Sequence, residues 1–253
     1  MRIAIHLSFG VLGAALLMNA ATAATVIRME AGPNGARSLM TVEKGKARMQ
    51  SEPQNYILID PSADQYLYIL PEARQTVTMN SKPPIEAAQP VKAAKPATVK
   101  LVNKGTGPKI AGFATQRYQL FANGKLCLNT YLSREALQRG ELKDFLAGFH
   151  QLHAKQKQQY RAIGTQYAPC DDAQETLMGR YAELGLAMRT VDADGSLRQE
   201  VVSMETGIKV NDDTFQVPEG FKQLTHEEFL RQLEGGTGGK QEPTPAADKP
   251  GKS

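Results

Sequence analysis

The chain has 253 residues, with 30 Lys and Arg against 26 Asp and Glu, no tryptophan and 6% aromatic residues. So small and scattered a basic excess argues against nucleic acid as a partner, and so few rings leave no platform on which bases could stack. The length accommodates one or two domains.

The first residues read as a secretory signal peptide. Arg2 supplies a positive start, and Ile3 to Leu17 is apolar but diluted by His6, Ser8 and two glycines. A membrane-spanning helix needs roughly 20 apolar residues. Ala21-Thr22-Ala23 has the small-x-small pattern of a cleavage site. Residues 1–23 are therefore expected to be removed, taking one positive charge (Arg2) with them. No cysteine follows Ala23 to carry a lipid, and no later stretch is apolar enough to span a bilayer. The mature chain is expected to be exported and soluble.

Six short strands then follow at regular spacing: Thr25–Ala31, Arg37–Glu43, Ala47–Ser51, Tyr56–Ile59, Tyr66–Leu70 and Gln75–Asn80. Gly32-Pro33-Asn34-Gly35, Lys44-Gly45-Lys46 and Asp60-Pro61-Ser62-Ala63-Asp64 are turn sequences. The pattern is an antiparallel meander. Residues 81–100 contain Pro83, Pro84, Pro90 and Pro96 among alanines and lysines, and read as a long loop or linker. Lys109–Ala122 and Lys125–Leu132 read as a hairpin about Asn123-Gly124.

Ser133 is a good N-cap with Glu135 in the first turn. Leu137, Leu142, Phe145, Leu146, Phe149 and Leu152 recur at helical spacing, which predicts one long amphipathic helix to about Tyr160. Asp171 and Asp172 cap a shorter helix ending near Gly185. Strands are expected at Leu186–Val191, Leu197–Ile208 and Thr214–Val217, and Thr225 caps a last short helix through Leu233. Residues 234–253 are rich in Gly, Pro, Lys and Ala and read as a disordered tail.

The inventory for catalysis is poor. His150 and His153 have i,i+3 ligand spacing, but glutamines and lysines surround them, which reads as a solvated helix face. His226-Glu227-Glu228 lacks the second histidine of a zincin helix. The glycines at 235–239 fail the P-loop spacing, Gly105-Thr106-Gly107 lacks a dinucleotide fingerprint, and no G-x-S-x-G occurs. Asp171-Asp172, Asp192 with Asp194, and Asp212-Asp213 sit at caps and turns, where they bond to nearby backbone. No catalytic residue, metal site or cofactor is assigned. The two cysteines, Cys127 and Cys170, lie outside any C-x-x-C. An oxidising compartment favours pairing them, with two separate buried thiols as the alternative.

Two features bear on binding. Met29, Met40, Met49 and Met79 all fall in the first meander, where soft side chains suit irregular apolar partners or ordinary core filling. Tyr56–Ile59 and Tyr66–Leu70 are apolar or aromatic at every position. A sheet with one wet face alternates, so both faces here are expected to be covered, one by helices and the other by a second layer, a ligand or a partner.

Gly45-Lys46-x-Arg48, Tyr56-Ile57-Leu58-Ile59-Asp60 and Tyr66-Leu67-Tyr68-Ile69-Leu70-Pro71 together resemble the opening meander of the exported LolA-like β half-barrel superfamily. Ile110-Ala111-Gly112-Phe113 with Tyr118, Asn123-Gly124-Lys125 and Tyr131-Leu132-Ser133 resemble the middle of a branch of it without an agreed activity, and Phe215–Phe221 resembles its closing strand. Two departures are Tyr131, where the family often has Trp, and the inserted Pro/Ala/Lys segment. The resemblance spans roughly residues 26–222. It implies an α+β fold, with a curved antiparallel sheet wrapped around or covered by one long and two short helices, forming a single domain over residues 24–233. It also implies a Gram-negative periplasm and a non-enzymatic carrier or sensor of hydrophobic groups.

The expected ligand is a lipid or lipoprotein acyl chain, or an apolar segment of an envelope protein partner, held on the concave face. The residues expected to line that face are Met40, Met49, Ile57, Ile59, Leu67, Ile69, Val77 and Met79, with Phe145 and Phe149 from the helix. The alternatives are a structural or interaction protein of the envelope with a filled core, and a hydrolase whose cleft collects His150 or His153 with an acid and a nucleophile.

Overall fold

The computed structural model describes residues 23–32, 34–51, 54–79, 97–162 and 167–236. Most of the span read as a signal peptide (residues 1–22), most of the 81–100 segment and the residues from 237 onward, read as a tail, lie outside them.

The first meander forms as its pattern dictates: β1 Ala24–Ala31, β2 Ala36–Glu43, β3 Lys46–Ser51, β4 Tyr56–Asp60, β5 Gln65–Leu70 and β6 Gln75–Thr78. Lys44 and Gly45 both take positive φ, 52° and 72°, as the tight turn between β2 and β3 demands. Between β4 and β5, Asp60 accepts hydrogen bonds from Ser62 N (3.1 Å) and Ala63 N (3.2 Å) and starts a 3₁₀ turn, Pro61–Ala63. The second meander comprises β7 Val99–Thr106, β8 Gln116–Ala122, β9 Lys125–Ser133, β10 Leu186–Asp192 and β11 Leu197–Ile208.

β1 and β11 pair antiparallel, with Ile27 opposite Met204 and Met29 opposite Val201, so the two meanders merge into one sheet. Its order is β12-β6-β5-β4-β3-β2-β1-β11-β10-β9-β8-β7, with β12 being Lys222–Thr225. The sheet is curved and open, and antiparallel except where β12 runs parallel beside β6. With its helices it makes an α+β half-barrel.

The helices are α1 Arg134–Leu137, α2 Leu142–Ala162, α3 Pro169–Met178, α4 Tyr181–Leu184 and α5 His226–Gly236. Ser133 caps as expected, its Oγ accepting from Ala136 N at 3.1 Å. The single long helix from Ser133 is corrected, however: α1 stops at Leu137 and α2 starts at Leu142. Gly140, at φ 57°, turns the chain between them, and a Cβ there would fall 2.1 Å from Thr25 Oγ1. The second predicted helix also divides, at Gly179 and Arg180. Asp171 lies in the first turn of α3 rather than at its cap, and its Oδ2 accepts from Ala168 N at 3.2 Å.

Three strand expectations change too. Thr214–Val217 is a turn segment, β7 and β12 are strands that local pattern did not separate from loop, and the hairpin arm begins at Gln116 rather than Lys109. Helix α5 runs to Gly236, into the span expected to be tail.

Three apolar cores result. The largest lies between the concave face and α2, around Ile27, Val42, Ile59, Phe145 and Val201. A second joins β8 and β9 to α3 and α4 and contains the Cys127–Cys170 disulfide, whose Cα atoms are 5.5 Å apart. The third lies on the outer face, where Tyr56, Leu58, Leu67 and Ile69 meet Val217 and Phe221. The continuous apolar runs of β4 and β5 are thus covered on both faces, and the outer cover is the chain's own 209–221 segment.

The disulfide closes a loop across a sequence separation of 43. Its replacement by Cys127→Ser with Cys170→Ser is expected to cost about 2–4 kcal/mol. Urea unfolding of the oxidised protein and the double variant measures the difference.

Candidate functional site

The pleat sends alternate residues to opposite faces, and on β1, β2, β3 and β11 the residues facing the helices are Ile27, Met29, Met40, Met49 and Val201. Helix α2 lies across them with Leu142, Phe145, Phe149 and Leu152 on one side. Its seat is set partly at Gly148, where a Cβ would stand 2.8 Å from Pro61 Cβ, so the helix can lie directly on the 3₁₀ turn. An ion pair from Lys155 to Asp64 holds the next turns. Phe145 and Phe149 stack with centroids 5.8 Å apart, and Tyr66 meets Phe149 edge-on at 6.3 Å.

Between this layer and the sheet is a cavity of about 260 Å³. Met40, Met49, Phe145 and Phe149 line it, together with Met178 of α3 and Tyr181. Gln174, Arg198 and Gln199 form its polar rim. Burial pushes the Tyr181 phenol up to about 12, against the opposing charge of Arg198. The tyrosine is therefore a neutral part of the wall at any physiological pH.

The expected lining residues separate by register. Ile57 is half-buried and Ile59 fully buried, both in the same core as the cavity but outside its wall. Val77 is fully buried, and Met79 lies just past β6, its carbonyl accepting from Gln156 of α2 at 2.7 Å. Leu67 and Ile69 are on the opposite face. Leu67 pairs with Leu58 and Ile69 with Tyr56, so all four point outward beneath Val217 and Phe221. Each run is apolar throughout, so nothing in its composition marks which parity faces inward. Sequence reasoning passed over Ile27 and Val201 from β1 and β11, and named Met29 among the meander's methionines without placing it in the lining. Their alternation in those strands was visible, but the pairing that brings them together was not.

The histidines are not on a purely solvated face. Helix α3 brings Glu175 to them: His153 Nδ1 donates to Glu175 Oε2 at 2.7 Å, and His150 Nε2 lies 3.4 Å from Oε1. Glycine at 179 admits the His150 ring, which would be 2.9 Å from any Cβ there. Burial by itself would raise the Glu175 carboxyl. The hydrogen bond from His153 and the charges of His153, Lys157 and His150 outweigh it and hold the carboxyl below its ordinary range.

A second chamber of about 460 Å³ opens beside this cluster, between α2 and α3. The described residues lining it include no serine, threonine or cysteine. Among the described residues, no group of three or more His, Cys, Asp or Glu is arranged to hold a metal ion. On the outer face, Arg28, Leu39, Gln50 and Val202 border an open groove of about 470 Å³.

The fold and cavity define an α+β protein in which a curved open sheet carries a helical layer over an apolar space. No family model and no curated protein matches the chain. Among solved structures it is similar to PNGF-II, with a TM-score of 0.43 and 13% identity over 84% of this chain and 33% of that one. It is also similar to MucB in complex with MucA(peri), with a TM-score of 0.30 and 13% identity over 80% of this chain and 57% of that one. The Pseudomonas aeruginosa MucA/MucB complex gives a TM-score of 0.29 and 13% identity over 77% and 55%. The chain thus spans a third of the first protein and somewhat more than half of the others, and at these scores the overlaps assign neither family nor function.

Because the folded state holds the Glu175 carboxyl low, its contribution to stability is present above the ordinary carboxyl pKa of about 4.3. It is lost as pH falls through the lower folded value. Urea unfolding at a series of pH values from 6 to 3 should show the parent protein losing stability more steeply than Glu175→Gln. Parallel curves would contradict that assignment.

Proposed function

We propose that the chain is an exported, non-enzymatic binding protein that holds one acyl chain, or an apolar segment of a partner, on the concave face of its sheet. The cavity between the sheet and α2 carries this reading. A core serving only stability packs to the density of an organic crystal, with few voids larger than a water molecule. Here about 260 Å³ stays open among methionines and phenylalanines. That is slightly below the roughly 300 Å³ at which small-ligand pockets begin, which favours one chain over a two-chain lipid.

The methionine side chains can shift to accept chains of different shape. Binding needs no covalent step, since burial of apolar surface supplies the driving force. Export rests on the reading of residues 1–23 as a signal peptide. Among the described residues, no helix is long and apolar enough to cross a membrane.

The reading is tested by calorimetric titration with a series of n-alkanols, alongside lipid extraction of the purified mature chain. Each methylene buried is worth about 0.8 kcal/mol, or roughly fourfold in affinity, until the cavity is full. Affinity is expected to climb by that step and then level off. Met49→Glu or Phe149→Glu should abolish it. An extract free of lipid, together with no binding at any chain length, would refute the proposal.

A further inference from the structure

The two ends of the sheet are finished differently. At one, the short β12 adds to β6. At the other, β7 has β8 on one side and, among the described residues, no strand on the other. Asn123 N donates to the Thr98 carbonyl at 2.9 Å. Hydrogen-bonded positions alternate along an antiparallel pair. Lys100 and Val102 therefore bond β8, while the N–H and C=O groups of Val99, Leu101 and Asn103 turn to the open edge. The regular ladder ends at Asn103, whose Oδ1 accepts from Gly105 N at 2.7 Å where the register shifts.

The side chains of this edge have a definite chemistry. Val99 and Leu101 lie opposite Ala122 and Leu120, on the side of the second core, and are only partly buried there. Lys100 and Val102 lie on the other side, opposite Phe121 and Gln119. Lys104 keeps the parity of Lys100, and both lysines are exposed. Strands β7, β8 and β9 together carry Lys100, Lys104, Arg117 and Lys125 and no aspartate or glutamate. The acids of the adjacent α3 are engaged elsewhere. Asp171 accepts from Ala168 N, Asp172 pairs with Lys157 and Arg161, and Glu175 meets His150 and His153.

We propose that the β7 edge takes up an extended segment of another protein, acidic at alternate positions and apolar between them. Such a strand gains main-chain hydrogen bonds at Val99, Leu101 and Asn103. It sets carboxylates against Lys100 and Lys104 and lays apolar side chains over what Val99 and Leu101 leave exposed. Edge lysines discourage pairing with an ordinary apolar strand, and the same charges admit an acidic one. Two other occupants fit less well. A second copy paired about Val102 sets Lys100 against Lys104, and like charges directly opposite destabilise. Residues 80–96 of this chain carry Lys82, Lys92 and Lys95 against Glu86, and Pro83, Pro84, Pro90 and Pro96 have no N–H to give a ladder. This inference does not depend on the cavity.

The test titrates the mature protein with three labelled peptides and follows fluorescence anisotropy. One alternates valine with glutamate, one alternates valine with lysine, and one is the acidic peptide with its backbone nitrogens methylated. The acidic peptide is expected to bind roughly tenfold more tightly than the lysine peptide, and less tightly as salt is added. The methylated peptide should not bind. Lys100→Glu with Lys104→Glu should reverse the ranking of the first two, which a mere loss of folding would not do. Equal binding of the acidic and lysine peptides, or a ranking unchanged in the double variant, would overturn the proposal. So would a methylated peptide that binds as well as its parent. If no peptide binds, the partner is likewise overturned. Self-association in sedimentation would then give the edge to a second copy. Binding that appears only after residues 81–95 are replaced by glycine and serine at equal length would give it to that segment.

Discussion

The pairing of β1 with β11 is the contact on which the molecule depends. It joins strands some 175 positions apart, as the contact between Arg28 and Ser203 records. Without it there are two separate meanders, each with a half-buried face. With it, Ile27 and Met29 stand beside Val201, and one concave surface runs from β6 to β9. Helix α2 needs a surface of that width, because its apolar side carries Leu142, Phe145, Phe149 and Leu152 along three turns. At the register shift between Arg28 and Met29 the extra residue is Val202 of β11, and such bulges add local twist and bend.

The curved sheet leaves two faces to cover, and the chain covers them by different means. Helices take the concave side. On the convex side of β4 and β5, the 209–221 segment lays Val217 and Phe221 against Tyr56, Leu58, Leu67 and Ile69. Arg48 sits 3.7 Å above the Tyr56 ring and its guanidinium reaches the Thr214 carbonyl, which ties that segment down near its middle. The segment then ends in β12, which adds to the β6 edge in parallel. An otherwise open strand edge is thereby paired, which removes a template for unwanted association.

Helix α3 links stability to the candidate site. Its first turn is tied to β9 by the disulfide and to α2 by the ion pair of Asp172 with Lys157, and its middle is tied to α2 by Glu175. The same helix presents Gln174 and Met178 to both chambers. A wall held firmly at one end and by charged contacts in the middle can let one soft side chain move without letting the helix go. The wall of the candidate site and the helix's anchoring thus share the same three turns.

What the sequence determined by itself was local. Strands β1 to β6, β8 and β9 were legible because short strand-forming runs and turns such as Lys44-Gly45 and Asn123-Gly124 act over a few residues. The caps at Ser133 and Thr225 were legible for the same reason, Thr225 Oγ1 accepting from Glu228 N at 3.2 Å. With two cysteines in the chain only one pairing was possible, and the structure decided that it forms. Only the tertiary structure decided which side of β4 and β5 faces inward, since Tyr56–Ile59 and Tyr66–Leu70 are apolar on both parities. It also decided where the helix breaks, because the need for Gly140 comes from Thr25, over a hundred residues earlier. Likewise, the surroundings of His150 and His153 looked polar and solvated along the helix, while the carboxylate that meets them belongs to α3. Local pattern sets the elements. Partners distant along the chain set the faces, and the cavity lies where those faces meet.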